Sequence, residues 1–465
     1  MKEIILPYIK HQDKLDTLSS LIQQPWAMLL DSAGTDDNYN RYDIFSFAPT
    51  ITLRFQNQQT QLNGSLPNLN LDLTDPIDCM RKLLADLAPQ SANQSDNQPN
   101  NNSELPFLGG WMGYISYDFG RHLEVIPQVA VDDIKLPEIQ MGLYQWALIT
   151  DHKTKQTKLY NFGLDDSNWW NIVNLFTAVD DKNNLIEPFV LTSPWQSNTN
   201  KKDYQRAFNI IQDYIHCGDC YQVNFSQRFS ANYTGSPLSA YQKLTQANQA
   251  PFSAYLNFEH HKILSLSPER FIESHHGKVI TQPIKGTRPR SNDKQEDIRI
   301  AEELINSDKD RAENLMIVDL LRNDLSRTAS KASVKVNELF GHYRFESVHH
   351  LISTIESKLA DEFDVFDLLK TTLPGGSITG APKIRAMEII ETLEPIRRSI
   401  YCGSIVYIDF NHNMDSNICI RTLITKNNKI HCWAGGGLVA DSEINSEYKE
   451  TFDKLSKILP VLEND

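Results

Sequence analysis

The chain has 465 residues, of which 40% are hydrophobic and 22% charged, and its formal net charge is −14. This composition predicts a globular protein with a large apolar core and, from length alone, two or three domains. The negative charge argues against general nucleic-acid and anionic-membrane binding. Neither a basic-apolar leader nor a run of about 18 apolar residues is found, so we expect a cytoplasmic protein that does not span a membrane.

Residues 1–165 are predicted to form a β-rich N-terminal domain, followed by a linker over 166–199. Helical periodicity places one helix at 75–87. The stretch 91–104 is rich in Asn and poor in hydrophobic residues, which predicts a disordered surface loop. Strands are predicted at 25–32, 40–49, 107–118, 138–150 and 157–163.

The pattern changes at residue 200, where a second domain, 200–465, is predicted to begin. Amphipathic helices are predicted at 201–217, 296–305, 308–324, 364–370 and 443–459. Strands are predicted at 221–230, at 402–410, 416–425 and 429–434, and at 263–272 and 279–284, where two strands form a hairpin. Because the strands come in runs with helices between the runs, the sequence predicts an α+β fold and not a parallel doubly wound sheet.

The predicted hairpin places an acid and an amine on neighbouring strands. Its even-numbered apolar residues are expected to share a buried face, and these are Leu264, Leu266, Ile280 and Ile284. Side chains alternate along a strand, so the odd-numbered Glu269 and Lys285 would lie together on the opposite face. A two-residue turn would instead put them on opposite faces, and an ordinary surface ion pair is the alternative to a functional pair.

Two predicted helices each carry a pair of carboxylates three residues apart. One pair is Asp310 and Glu313, and the other is Glu447 and Glu450. Residues at this spacing share one helical stripe. Brought together, the two pairs would suit Mg²⁺, which prefers oxygen ligands, whereas each pair alone is typical of a solvated helix face.

Glycine-rich segments and two basic residues suggest further binding positions. The glycines of 375–380 precede Pro382, which predicts either an anion-binding helix start or an ordinary loop. Gly435, Gly436 and Gly437 suit close backbone approach to a ligand or a tight turn. Arg421 follows an apolar strand and could clamp a carboxylate, while His350 suits either a structural or a catalytic role.

Five ordered segments are similar to motifs of the chorismate-utilising enzyme family. They are Ser-Pro-Glu269-Arg-Phe, Pro-Ile-Lys285-Gly-Thr-Arg-Pro-Arg, the run Asp310 to Asp324, Pro374-Gly-Gly-Ser-Ile-Thr-Gly-Ala-Pro-Lys, and Ala434-Gly-Gly-Gly-Leu-Val-Ala-Asp-Ser. The resemblance covers essentially the whole chain and is strongest over 200–460. It implies a four-layer α/β/β/α fold in which two antiparallel sheets pack face to face, with helices outside and the two halves of the sequence interleaved.

Lys285 is the residue that distinguishes branches of this family. Members that place nitrogen at ring carbon 2, forming anthranilate, typically carry Ala there, whereas Lys is typical of members that place nitrogen at carbon 4. The resemblance therefore implies that chorismate and ammonia are converted to 4-amino-4-deoxychorismate for para-aminobenzoate and folate biosynthesis, through a covalent intermediate on Lys285 with Glu269 as general acid. Anthranilate formation is the near alternative, and a non-catalytic chorismate- or tryptophan-binding protein is the alternative from another class.

The resemblance also implies ligands and a partner. The substrate-binding positions are Thr287, His350, Tyr407, Arg421, Gly435, Gly436 and Gly437. Mg²⁺ would be bound by Glu313 and Glu450, with Asp310 and Glu447 nearby through water. A tryptophan site is implied at Ser32, Tyr39, Asn40, Arg41, Tyr42, Pro251, Phe252 and Ser253. No glutamine amidotransferase domain is recognisable, so we expect ammonia from a separate glutaminase subunit.

Overall fold

The computed structural model describes residues 1–34, 41–89, 105–177, 186–345 and 348–463, so the loop predicted at 91–104 lies outside it. Its strands are β1 (Lys2–Leu6), β2 (Ala27–Asp31), β3 (Tyr42–Ser46), β4 (Ile51–Gln56), β5 (Gln59–Gly64), β6 (Gly110–Ile115), β7 (Ile139–Tyr144), β8 (Trp146–Asp151), β9 (Gln156–Asn161), β10 (Val190–Leu191), β11 (Gln196–Ser197), β12 (Gln222–Thr234), β13 (Phe252–Asn257), β14 (His261–Ser267), β15 (Arg270–His275), β16 (Lys278–Thr281), β17 (Ile284–Pro289), β18 (Lys335–Arg344), β19 (Val348–Lys358), β20 (Gly380–Ala381), β21 (Ser404–Asp409), β22 (Met414–Asn417), β23 (Thr422–Lys426) and β24 (Lys429–Leu438).

Its helices are α1 (Lys14–Thr17), α2 (Ser19–Ile22), α3 (Pro76–Leu87), α4 (Gly120–Leu123), α5 (Asp166–Thr177), α6 (Lys201–His216), α7 (Pro237–Ala247), α8 (Lys294–Ile305), α9 (Asp308–Ser326), α10 (Val365–Thr372), α11 (Lys383–Leu393), α12 (Ile444–Asp453) and α13 (Leu459–Glu463). Side-chain caps fix several of their starts, as where the Ser307 hydroxyl accepts the Asp310 N–H at the start of α9. Within the described ranges, each helix is too short or too polar to cross a membrane.

The described strands form two antiparallel sheets. Thirteen belong to the first, in the order β1-β9-β8-β3-β2-β13-β14-β23-β24-β12-β10, and β11 and β20 also pair with β12. Eleven belong to the second, in the order β17-β19-β16-β15-β22-β21-β6-β7-β4-β5, with β18 on β19. Strands from both halves of the sequence meet in each sheet, since β2 pairs with β13 and β6 pairs with β21. The halves therefore interleave, while the boundary at 166–199 stays a prediction.

The largest apolar cluster lies between the two sheets. Met28 on β2 and Trp111 on β6 both belong to it, although they come from different sheets. Leu29, the neighbour of Met28, belongs instead to a second cluster on the other face of the first sheet, with Leu244 of α7 and Leu462 of α13. Because successive side chains of β2 point to opposite faces of the sheet, the strand contributes to both apolar clusters. The predicted α+β fold, with two antiparallel sheets face to face and helices outside, is confirmed.

Two of the places where the chain crosses from one sheet to the other lie side by side. Pro268 and Glu269 lead from β14 in the first sheet to β15 in the second, and residues 418–421 lead from β22 back to β23. The crossings are hydrogen-bonded to each other, because the Ile418 N–H donates to the Glu269 carbonyl at 3.0 Å and the Leu266 N–H donates to the Arg421 carbonyl at 3.1 Å. The single strands predicted at 263–272 and 416–425 are therefore wrong. Pro268 cannot donate to a ladder, and Arg421 has φ of +49°.

The predicted buried face of the hairpin is also wrong. Its turn has two residues, His276 and Gly277, with φ of +50° and +76°. On β16 the odd-numbered Val279 is buried and Ile280 is half-buried, and Val279 packs between the sheets. Leu264 lies in the other cluster, because it points to the outer face of the first sheet while its neighbour Ile263 packs between the sheets.

Candidate active site

Glu269, which is 6% exposed, and the half-buried Lys285 lie together beside the crossings. Hydrogen bonding from the Ser377 hydroxyl and the Ile284 N–H lowers the pKa of the Glu269 carboxyl group, against the larger effect of burial. The Lys285 Nζ donates to the Ser377 carbonyl oxygen at 3.2 Å. The structure brings the predicted acid and amine together, but through a crossing and a bulge at Gly286, where φ is +81°, and not through alternation along one hairpin.

Burial shifts the titration of these two groups in opposite directions. It raises the pKa of Glu269, against the attraction of the Lys285 ammonium. It lowers the pKa of Lys285, against the attraction of Glu269 and Glu313. Both shifts favour the neutral form, because a buried charge loses its hydration. A neutral amine can attack carbon, and a protonated carboxyl group can protonate a leaving group.

A second lysine, Lys454, lies beside this pair. Its Nζ is 2.7 Å from Glu450 Oε1 and 2.8 Å from the Gly435 carbonyl oxygen. Its charge lowers the pKa of Glu269 and of Lys285, after the larger effects of burial and of the pair's own attraction. Lys454 was not predicted from the sequence. Its spacing of four residues from Glu450, at the end of α12, is a pattern that could have indicated it.

The predicted metal ligands face the same region from α9 and α12. A Cβ at Gly436 would lie 3.3 Å from Glu447 Oε2 and 3.4 Å from Glu450 Oε1, so both carboxylates converge on this glycine. Burial raises the pKa of Glu313, and the charges of Asp310 and Glu447 raise it further. One oxygen of the Asp310 carboxylate already forms an ion pair with Arg288, at 2.9 Å. Converging, partly buried carboxylates fit Mg²⁺, which prefers carboxylate oxygen and water.

The most compact cluster of metal-type ligands in the described ranges lies elsewhere. His11, Asp43 and His152 each offer an atom within 4.8 Å of the others. The Lys14 ammonium lies 3.0 Å from Asp43 Oδ2, so a cation already balances that carboxylate. No three of the predicted carboxylate ligands meet as closely in the described structure, which the mutual repulsion of carboxylates explains.

A half-buried cation, Arg421, and a neutral imidazole, His350, adjoin the crossings. Partial burial lowers the pKa of the Arg421 guanidinium, and no carboxylate within the described ranges forms an ion pair with it. Burial, together with the smaller effect of the Arg421 charge, lowers the pKa of His350 to about 3. The Thr287 hydroxyl lies 2.8 Å from His350 Nδ1. Because a partly buried cation without a partner is unfavourable, this arrangement suits an anionic ligand.

Gly435 and Gly437 of β24 lie close to the neighbouring strand β12. A Cβ at Gly435 would lie 2.4 Å from the Phe225 carbonyl oxygen, and one at Gly437 would lie 2.2 Å from Gln222 Nε2. The Gln222 side chain is fully buried, and neither of its amide atoms has a hydrogen-bond partner in the described structure. A buried amide without a partner costs about 1–3 kcal/mol, which points to a ligand here. Nothing in the sequence marks Gln222.

A separate cavity of about 670 Å³ collects the predicted tryptophan ligands and Tyr407. Its lining includes Ser32, Arg41, Tyr42, Pro251, Phe252, Ser253 and Tyr407 but neither Lys285 nor Arg421. The predicted ligands Tyr39 and Asn40 lie outside the described residues. The structure thus separates Tyr407 from the other predicted substrate ligands. The reason is that β21 carries Tyr407 beside Phe107, with 5.5 Å between ring centroids.

Comparison with known proteins places the chain in a family. Residues 28–460 match the family described as chorismate binding enzyme. Aminodeoxychorismate synthase component 1 of Escherichia coli (strain K12) is 47% identical over 446 residues, which cover 96% of this chain and 95% of that protein. Anthranilate synthase component 1 of Aquifex aeolicus (strain VF5) is 32% identical, covering 94% of this chain and 89% of that protein.

The fold agrees with this assignment. The crystal structure of anthranilate synthase component I from Streptococcus pneumoniae TIGR4 matches with a TM-score of 0.78 and 31% identity, covering 90% of this chain and 92% of that one. The resemblance carried by the five sequence motifs is therefore confirmed. The chain belongs to the chorismate-binding enzyme family.

Proposed function

We propose that the chain converts chorismate and ammonia to 4-amino-4-deoxychorismate. The observation that carries the proposal is the pairing of half-buried Lys285 with buried Glu269, in which the loss of hydration favours a neutral amine and a neutral acid. The 47% identity to the Escherichia coli aminodeoxychorismate synthase component 1 supports the same reaction. Anthranilate formation is disfavoured, because Lys285 would stand where nitrogen has to reach ring carbon 2.

The proposed reaction exchanges the 4-hydroxyl of chorismate for an amino group in two displacements. Lys285 Nζ forms a bond to ring carbon 2, both ring double bonds shift by one position, and the carbon 4–oxygen bond breaks. Glu269 gives its proton to the departing oxygen, so that water leaves. Ammonia then bonds to carbon 4, both double bonds shift back, the Lys285–carbon bond breaks, and the new ammonium group returns a proton to Glu269. The sum is chorismate plus ammonia giving the amino product plus water.

Substrate binding is proposed to depend on Arg421, which forms no ion pair with the described residues. Chorismate carries two carboxylates, and the Arg421 guanidinium can hold one of them in a bidentate contact. His350 and Thr287 form one hydrogen-bonded unit beside it, at 2.8 Å. The glycines of β24 would let the ring approach the backbone closely.

Glu313 and Glu450, with Asp310 and Glu447 around them, are proposed to hold Mg²⁺. Bound there, the ion would neutralise the second carboxylate of the substrate and draw electrons from the ring. Two lysines face these carboxylates. Lys454 lies 2.7 Å from Glu450, and Lys309 lies 3.7 Å from Glu447.

Glu450→Ala is expected to lower Mg²⁺-dependent turnover at least about 100-fold, because it removes a ligand and frees Lys454. The measurement is the rate as a function of Mg²⁺ concentration, together with Mn²⁺ binding followed by electron paramagnetic resonance. Glu443→Ala is the matched control, since this exposed glutamate lies just before the same helix. Full activity of Glu450→Ala at low Mg²⁺ would contradict the ligand assignment.

The source of ammonia is proposed to be a separate glutaminase subunit. The support is the name component 1 that the similar proteins carry. The test of the proposed function is mass spectrometry of the product made from chorismate, Mg²⁺ and a high concentration of ammonium. We expect 4-amino-4-deoxychorismate. Fluorescent anthranilate as the main product would overturn the proposal in favour of the alternative reaction.

The separate cavity is proposed to bind tryptophan. It offers aromatic walls at Tyr42 and Phe252 and opposite charges at Arg270 and Asp415, which are 3.0 Å apart. A zwitterion with an indole ring matches this lining. Titration calorimetry is expected to show saturable tryptophan binding and much weaker binding of indole-3-propionate, which lacks the amine. Equal binding of both compounds would contradict recognition of the zwitterion.

A further inference from the structure

Ser377 touches both members of the Lys285–Glu269 pair. Its carbonyl oxygen accepts a hydrogen bond from Lys285 Nζ at 3.2 Å, and hydrogen bonding from its hydroxyl lowers the pKa of Glu269. The residue is 6% exposed, so water does not compete freely for either contact. One residue therefore fixes two groups that come from different sheet segments.

The segment around Ser377 is held firmly. It forms a short 3-10 helix, Gly376–Ile378, and α11 begins after it at Lys383, next to Pro382. A Cβ at Gly376 would lie 2.5 Å from a methyl carbon of Leu320, so the backbone packs directly on α9. The buried Arg398 donates to the Ile378 carbonyl at 3.0 Å. These contacts prevent Ser377 from moving away from the pair.

We propose that Ser377 is a positioning residue, which sets the orientation of the Lys285 amine through its carbonyl and stabilises the carboxylate left on Glu269 through its hydroxyl. The inference rests on the proposed function and adds a residue to it. A carbonyl that accepts one N–H of the amine holds the nitrogen lone pair in a fixed direction. A hydroxyl that donates to a carboxylate makes a charge-assisted bond, which strengthens as Glu269 gives up its proton.

The two contacts can be separated by substitution. Ser377→Ala removes the hydroxyl and keeps the carbonyl, so we expect kcat to fall roughly 10- to 100-fold with little change in KM. The charged groups facing Glu269 are Lys285 and Lys454. In the wild type the Ser377 hydroxyl lowers the pKa of Glu269. Removing the hydroxyl should therefore raise that pKa and move the alkaline limb of the pH–rate profile to higher pH. Ser377→Thr keeps a hydroxyl and should restore the rate to within a few-fold.

Ser46→Ala is the matched control, since the buried Ser46 hydroxyl donates to the Trp146 carbonyl at 2.8 Å, away from the Lys285 region. It should leave the pH–rate profile unchanged. The inference is overturned if Ser377→Ala keeps the wild-type kcat and profile, or if Ser377→Thr is as impaired as Ser377→Ala. Should the alanine variant not fold, Ser377→Cys, a weaker donor of similar size, is expected to give an intermediate rate, and a wild-type rate would overturn the inference. Wild-type protein that makes no aminodeoxychorismate would instead overturn the proposed function, and this inference with it.

Discussion

Lys285→Ala is expected to lower the formation of 4-amino-4-deoxychorismate by at least about 10³-fold, because it removes the only proposed nucleophile. Any residual reaction should be diverted to anthranilate, since the space at ring carbon 2 would open to ammonia. Chorismate consumption and both products can be followed together by mass spectrometry and anthranilate fluorescence. The substitution should not unfold the protein, because it removes a half-buried amine whose charged form burial already disfavours.

Lys278→Ala is the control for this substitution. Lys278 lies on β16 of the same sheet, its side chain is 57% exposed, and it pairs with Glu356 on the surface. Surface pairs of this kind contribute little to stability, so the control should keep wild-type activity. Unchanged product and rate in Lys285→Ala would remove the nucleophile from the mechanism.

Glu269→Gln is expected to lower kcat by about 10² to 10⁴-fold, because an amide of the same shape cannot supply the proton. The pH dependence of the activity follows from the pKa shifts of Glu269 and Lys285. Activity needs protonated Glu269 and therefore falls as pH rises through its pKa, which burial raises. It also needs neutral Lys285 and therefore falls as pH drops through its pKa, which burial lowers. Glu269→Gln should lose the alkaline limb and keep the acidic one.

Glu259→Gln serves as the control for the loss of a carboxylate. Glu259 pairs with Arg54 at 2.7 Å at the protein surface, away from the crossings. We expect its pH–rate profile to match that of the wild type. A Glu269→Gln variant with a complete wild-type profile would show that another group supplies the proton.

The elements with strong local signals could be predicted from the sequence, and the paths between them could not. Helix α3 was expected at 75–87 and is found at Pro76–Leu87, because its apolar stripe and its Asp75 cap are local features. Residues 263–272 read as one strand because apolar residues continue through Pro268. Only the pairing of β14 and β15 with different partners shows that the chain changes sheets there.

The residues of the candidate site also fall into those that the sequence could predict and those that it could not. Glu269 and Lys285 were named from motifs and Arg421 from its place after an apolar strand, and the structure places them at or beside the two neighbouring crossings. Ser377 and Gln222 were missed because their significance lies in contacts between segments distant in sequence. Tyr407 was assigned by the family resemblance, but its position on β21 places its side chain in the other cavity.

The most direct test of the central claim is peptide mass mapping of the protein after incubation with chorismate and Mg²⁺ in the absence of ammonium. If the Lys285 amine, whose pKa burial lowers, attacks the ring while Glu269 protonates the departing hydroxyl, the peptide containing Lys285 gains the mass of chorismate less one water. Adding ammonium should remove this mass and release 4-amino-4-deoxychorismate. An unmodified Lys285 peptide in protein that still forms this product with ammonium would contradict the account.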